Sequence, residues 1–434
     1  MSRVLVQAEE SVLSGVRATS DWSLKAVLRG RPIETWALGL AFCAVPISIA
    51  VCEFFLFLAL AARIVRCVRG RARVRFPRIF LFWLAWAGLE VLSWAISPEH
   101  RSGWSEIRHL LLLASVFFVL PALSKDSDRQ LVWRGLFLTS TLGALFLLGD
   151  FAARVFSYRS LLGMGDEASL YLRTGGLLNN WMVFGTVEIL VVAGFLSFWS
   201  LYPEERRRWW PVGVIHGLAI LFSLTRMAWI TCFILLAVEL AWRRSKWFWV
   251  LPLVPLGLYF SAPSAVRVRV NESFRPDFYS NAERVQMWRV GWKMIEERPL
   301  TGVGPGRVEA LYRSYLAAGE PVPAYHGHLH NNAIQLAAEF GIPTLVAAML
   351  TLGVLFFDLV KASRAAISRE ARFVCRAGLL GLFGFVMSGF FDYTYGHSLG
   401  LILLGFVVLS PLLSGSESAS TADSKFGNQT ANGS

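Results

Sequence analysis

"LNNWMVFGTVEILVVAGFLSFW", residues 178–199, contains one ionisable side chain, Glu188. A run of about 20 apolar residues crosses a hydrocarbon core of roughly 30 Å as a helix. No water is present there to satisfy a bare backbone, so helices are the expected spanning elements. Similar runs recur from Ile33 to Ser414, with approximate cores at 33–46, 48–66, 78–96, 105–124, 129–151, 178–199, 210–225, 226–242, 247–262, 330–360, 372–392 and 398–413. The expected fold class is all-α: a polytopic membrane protein with about 12 transmembrane helices. The first two runs meet at Pro46 and read as a hairpin or as one long broken helix. Composition agrees, with 55% hydrophobic and 17% charged residues and a mean hydropathy of +0.50.

Orientation is read from Lys and Arg, because short basic connections stay on the cytoplasmic side. The segments 63–78 ("RIVRCVRGRARVRFPR"), 125–129, 206–208, 243–246 and 361–376 are all basic, and with twelve spans all fall on one side. The net charge of +12 is therefore a topogenic signal rather than a nucleic-acid surface. Both termini are expected inside, and 152–177 and 263–329 outside. The chain divides into a cytosolic amphipathic segment (1–32), nine spans (33–262), a large outer loop (263–329), three spans (330–413) and a disordered cytosolic tail (414–434). Cys43, Cys52, Cys67, Cys232 and Cys375 lie in or beside spans, so no disulfide framework is implied. No removable signal peptide is read at the N-terminus.

The outer loop is too long for an idle connection. From Asn281, a candidate N-cap, Val285, Trp288, Trp292 and Ile295 recur at helical spacing until Pro299. A second pattern, Val308, Leu311, Tyr312, Tyr315 and Leu316, ends at Gly319. Two short amphipathic helices roofing a cavity at the membrane surface are expected. The glycine turn between them, "PLTGVGPGR", lacks both the Lys-Ser/Thr of a P-loop and the preceding strand of a dinucleotide fold.

Arginine is costly near a membrane span, about 2.5–3.5 kcal/mol at a helix centre. Arg226, in "LFSLTRMAWI", sits at the outer end of two runs, where positive-inside bias gives no reason for it. It reads either as a snorkelling side chain or, with Arg284 and Arg173, as a clamp whose guanidinium forks bind a diphosphate. Nearby, "HGHLHNNAIQLAAEFGIPT" (326–344) places His326, His328 and His330 at alternate positions. They read as metal ligands, as structural hydrogen-bonding groups or, for His330, as a general base that accepts a proton near neutral pH. "DSD", 126–128, mimics a metal-binding carboxylate pair but falls in a cytosolic loop and reads as a solvated turn.

These residues resemble the O-antigen ligase and O-antigen polymerase superfamily of bacterial envelope glycosyltransferases. The ligase motif is His, Asn/Ser/Gln, nine residues, Gly, two residues, then Gly/Thr/Tyr, and His330, Asn331, Gly341 and Thr344 meet every fixed position. "SLTRMA" around Arg226 and "RVQMWRVGWKMIEERPLTGVGPG" from Arg284 are similar to two further family segments. The resemblance implies a metal-independent, inverting transfer without a cofactor, at the periplasmic face of the inner membrane. A glycan would pass from undecaprenyl diphosphate to a lipid A-core sugar hydroxyl or, in the polymerase alternative, to another lipid-linked repeat unit. Carried over by position, His330 would be catalytic, and Arg226 and Arg284 would bind the diphosphate. Arg173, His328 and Asn331 are further candidates for substrate contact; His326 and His328 match no fixed family position and their roles stay open, while Glu339 reads either as orienting another group or as packing its helix. A transporter of the same lipid-linked glycan is the reading from another class, although no repeated halves are seen.

Overall fold

The computed structural model describes residues 30–74, 76–158, 171–276, 278–323 and 326–413. The expected lead-in before residue 30 and the tail from 414 lie outside the described residues. Among the described residues every regular element is helical. In chain order the α-helices are α1 (Ile33–Ala44), α2 (Ile49–Val68), α3 (Ile79–Ile96), α4 (Trp104–Val119), α5 (Asp126–Ser157) and α6 (Trp181–Leu201). They continue as α7 (Arg206–Phe222), α8 (Arg226–Trp242), α9 (Leu253–Ser261), α10 (Ser264–Ser273), α11 (Tyr279–Glu297) and α12 (Val308–Leu311). The last four are α13 (Asn332–Phe340), α14 (Ile342–Ala365), α15 (Arg369–Ser388) and α16 (Ser398–Leu409).

Among the described residues six segments are long and apolar enough to cross a membrane: α3, α4 with the 3-10 turn that extends it to Leu123, α5, α6, α14 and α15. The count of twelve is not confirmed, and the sequence explains why other runs fall short. The run 330–360 still supplies one of the six, because Gly341, whose φ of +87° ends α13, redirects the chain into α14. The run 247–262 carries Pro252 and Pro255 and retains only the nine residues of α9 as α-helix. Helix α1 has 12 residues, about 18 Å at 1.5 Å per residue, short of a full crossing. It pairs with α2 as a hairpin: Glu34 at the start of α1 binds Arg63 at 3.1 Å and Arg66 at 2.8 Å near the end of α2.

The two ends of the bundle differ in chemistry. Arg78 with Asp358, Ser368 with Asp126, and Arg369 with Glu204 gather one end of α3, α14, α5, α15 and α6 among the basic connections. The opposite end carries the N-termini of α6, α8 and α13, where Thr225 donates to the Trp181 carbonyl at 3.4 Å. The basic segments thus share one end, as the charge pattern requires.

Helices α6 and α15 form the centre: 72% of each span is buried, against 28% of α14. Close approach at the centre depends on small residues. A methyl group at Gly194 of α6 would run into the Trp133 ring of α5, and Trp133 is itself fully buried. The lone carboxylate of the span, Glu188, meets His216 at 2.6 Å and the Ser140 hydroxyl at 2.7 Å, so the charge read in the sequence is satisfied within the bundle.

The outer loop corrects the expected helix face. Helix α11 begins at Tyr279, ahead of Asn281, whose side-chain amide donates back to the carbonyls of Glu272 and Arg275 instead of capping. Its buried stripe is Met287, Val290, Met294 and Ile295, whereas Val285 and Trp292 are exposed. That stripe packs on Leu329 and Ala338. The glycine turn is a clasp on α13: Val303 N–H donates to the Ala338 carbonyl at 2.8 Å, Gly304 N–H to the Glu339 carbonyl at 3.0 Å, and Gly306 N–H to the Glu339 carboxylate at 2.9 Å. Glu339 therefore pins this turn.

Gly194→Ala is expected to overpack the α5–α6 contact at a cost of about 1–3 kcal/mol. A lower melting temperature in detergent checks this; an unchanged value would show that Trp133 can move aside.

Candidate active site

The entry into α13 is tied, residue by residue, to the loop after α15. His330 Nδ1 lies 2.8 Å from Asp392 Oδ1, the Asn331 amide donates to the Phe390 carbonyl at 3.3 Å, and Asn332 N–H donates to the Gly389 carbonyl at 2.7 Å. The Asn332 side chain also donates to the Thr394 hydroxyl at 2.8 Å and accepts from Tyr395 N–H at 3.2 Å. Asn331 is the helix cap, its carbonyl oxygen accepting from Ala333 and Ile334 N–H. Both ends of that amide are committed, so the structure places Asn331 in the scaffold of the site.

His330 has φ +48°, a left-handed conformation that a residue with a Cβ adopts at a cost. The same turn recurs at two other helix entries at this end. Asn179, at +56°, precedes the cap Asn180 of α6, and Leu224, at +53°, precedes the cap Thr225 of α8. Each turn brings a helix N-terminus, with its partial positive charge, toward the same region.

Between these entries lies a cavity of about 390 Å³ lined by Arg173, Trp181, Tyr279, Ser280, Glu283, Arg284, His328, His330 and His397, among others. Arg173 is 7% exposed, and its Nε and Nη2 have no hydrogen-bond partner among the described residues. Its guanidinium lies 5.7 Å from the Trp181 ring centre. Burial, with nearby Arg269 and Arg284, pushes the Arg173 pKa down to about 10. Burial and Arg269 lower that of Arg284 as well, against the opposing pull of Asp392. Arg226, the first residue of α8, donates to the Ser280 hydroxyl at 3.3 Å and stands behind it. Arg269 of α10 pairs with Glu272 at 2.5 Å and donates to the Leu224 carbonyl at 3.2 Å, holding the turn that presents Arg226.

On the facing side, the rings of His328 and His330 are 4.2 Å apart. Burial first, then His330, pushes the His328 pKa down to about 3, so that ring is neutral at ordinary pH. Burial would raise the Asp392 carboxyl, but the hydrogen bond from His330 and the surrounding imidazoles hold it below the usual carboxylate range. His397 Nε2 lies 3.7 Å from the second Asp392 oxygen, and its Nδ1 lies 3.2 Å from the Thr186 hydroxyl. His326 stands apart, with Nδ1 3.0 Å from the Pro323 carbonyl and its ring against Tyr312.

His328, His330 and Asp392 bring potential ligand atoms within 4.8 Å of one another, close enough to gather round a metal ion. Two features weigh against a cation. The His330–Asp392 hydrogen bond already uses one nitrogen and one oxygen of the set, and Arg173 and Arg284 line the same cavity with positive charge. Partnerless buried guanidinium nitrogens are instead the groups that an anion would satisfy.

The candidate residues His330, His328, Arg173 and Arg284 thus line one cavity, with Arg226 immediately behind. Asp392, Arg269, Glu283, Tyr279 and His397 do not stand out in the sequence. Asp392 reads there as the last residue of the span 372–392, and a carboxylate closing an apolar run five residues before a histidine is the available signal. Arg269 lies in "VRVRVN" with nothing local to separate it from Arg267.

No curated protein matches the chain. Residues 211–349, which run from α7 through α13 into α14 and make up about a third of the chain, match the family model described as O-antigen ligase.

Proposed function

We propose that the protein is an O-antigen ligase-like glycosyltransferase that moves a glycan from undecaprenyl diphosphate to a sugar hydroxyl of a lipid A core, at the periplasmic face of the inner membrane. The observation that carries this reading is one cavity with two opposed walls. One wall holds an Asp–His pair, and the other holds, beside Arg284, a buried arginine with two nitrogens that lack a hydrogen-bond partner among the described residues. The location of this cavity at the end of the bundle away from the basic connections supports an outward-facing site.

In the proposed reaction Asp392 accepts from His330 Nδ1 and orients the ring, so Nε2 is the nitrogen that takes the acceptor hydroxyl proton. The acceptor oxygen bonds to the anomeric carbon from the face opposite the diphosphate, inverting it as the carbon–oxygen bond to phosphate breaks. The bonding electrons leave with undecaprenyl diphosphate, whose added charge falls to Arg173 and Arg284, with Arg226 behind them. The proton on His330 then passes to solvent. Fixed cations fill the electrostatic role that a metal fills in other transferases, so no metal or cofactor is assigned.

Purified protein with a lipid-linked glycan donor, lipid A core and EDTA tests this directly. Wild type is expected to form the transferred product with EDTA present, and His330→Ala and Asp392→Asn, each assayed as folded protein, to lose about 100-fold or more in kcat. Extension of one donor by another in place of core transfer would make the protein a polymerase; no glycosidic bond in either assay would overturn the enzyme reading.

Arg173→Ala separates function from stability. Removing a buried cation whose Nε and Nη2 lack partners among the described residues is expected to leave the ligand-free melting temperature unchanged or raised, while kcat/KM for the donor falls about tenfold or more. Arg173→Lys should not restore activity fully, because the forked donor geometry is lost. A destabilised Arg173→Ala protein with normal donor kinetics would make Arg173 structural.

A further inference from the structure

A second cavity, of about 450 Å³, opens outward from the first. Tyr279 and Glu283, one turn apart at the start of α11, line both. Beyond them its wall continues along the same helix face with Ala282, Gln286 and Arg289, and the facing wall is the segment from Glu320 to Pro323. This outer wall is tied in place. Gln286 donates to the Pro321 carbonyl at 3.1 Å, Arg289 pairs with Glu320 at 2.5 Å, and Glu320 also accepts from Ala317 N–H at 3.0 Å.

We propose that this outer cavity is a glycosyl subsite, holding the sugar next to the one that reacts in the inner cavity. The proposal rests on the transferase reading of that inner cavity. Four features support it. The volume lies within the roughly 300–1,000 Å³ typical of small-ligand sites. The lining residues include a phenol (Tyr279), carboxylates (Glu283, Glu320), a carboxamide (Gln286) and two prolines (Pro321, Pro323), which suits a ring bearing hydroxyls on its rim and C–H groups on its faces. The charge pattern differs from the inner cavity: Arg289 is neutralised by Glu320, and Glu283 adds a carboxyl, so a diphosphate is favoured inside and an uncharged saccharide outside. Finally, Glu283 stands at the junction, where one side chain can receive hydroxyls of two consecutive sugars. Burial raises its pKa, with His330 opposing.

The sugar could belong to the acceptor or to the glycan of the donor, and the same variant distinguishes them. Ala282 is exposed and lines only the outer cavity, so Ala282→Trp fills the subsite while leaving the arginines and the Asp–His pair intact. Binding is measured by titrating detergent-solubilised full-length protein with core oligosaccharide released from lipid A, and separately with the donor glycan released from its lipid. One of the two is expected to bind at least about tenfold more weakly to Ala282→Trp, and that one identifies the source. In transfer assays KM for the same partner should rise at least about tenfold with kcat within about twofold, and the difference should vanish when that partner is cut back to its single reacting sugar. Equal affinity of wild type and variant for both oligosaccharides, or no binding of either to wild type, overturns the subsite. Failure of wild type to transfer at all overturns the parent reading and is read from a separate measurement.

Discussion

The site depends on three consecutive residues that do not let go of one loop. His330, Asn331 and Asn332 bind Asp392, Phe390, Gly389, Thr394 and Tyr395, fastening the start of α13 to the connection between α15 and α16. The bonds to backbone set the position of α13; the bond to Asp392 sets the angle of one imidazole. That connection begins directly after α15, a central helix of the bundle, so the ring of His330 is referenced to a loop anchored on a well-buried span. The left-handed conformation of His330 is the local strain that this fastening sustains.

The opposing wall is built on a different scaffold. Arg173 precedes α6, Arg226 opens α8, Arg269 lies on α10 and Arg284 on α11. They share a neighbourhood because α10 and α11 fold back over the helix entries, and the Arg269 bond to the Leu224 carbonyl ties α10 to the turn before α8. The site is therefore an interface between a membrane bundle and its outer loop, closed by the packing of Met287, Val290 and Met294 on Leu329 and Ala338.

How much of this the sequence discloses depends on the range of the interaction. Apolar length identifies the helices, and the Lys and Arg pattern separates the two ends, since both are properties of contiguous residues. The run 247–262 reads as one span although its α-helix is cut to nine residues, because apolarity persists across its prolines. His330, Arg226 and Arg284 stand out as polar residues at apolar boundaries or within recognisable spacing. Asp392, 62 residues from its partner, does not, because pairing across the bundle leaves no local periodicity. Helix α11 shows the intermediate case: its existence is legible, but its inward face is decided by Leu329 and Ala338, which are distant in sequence.

The buried guanidinium groups also bear on the release of product. On the proposed reaction the lipid diphosphate leaves with one more ionisable oxygen than it had as a glycan ester, so the cluster that draws charge forward grips the spent carrier more firmly than the loaded one. On that reading chemistry and departure pull against each other, since the cations that favour bond breaking also hold the product. Of the four arginines, Arg269 alone is shown with a carboxylate partner, Glu272 at 2.5 Å, so among them its charge adds least to that hold.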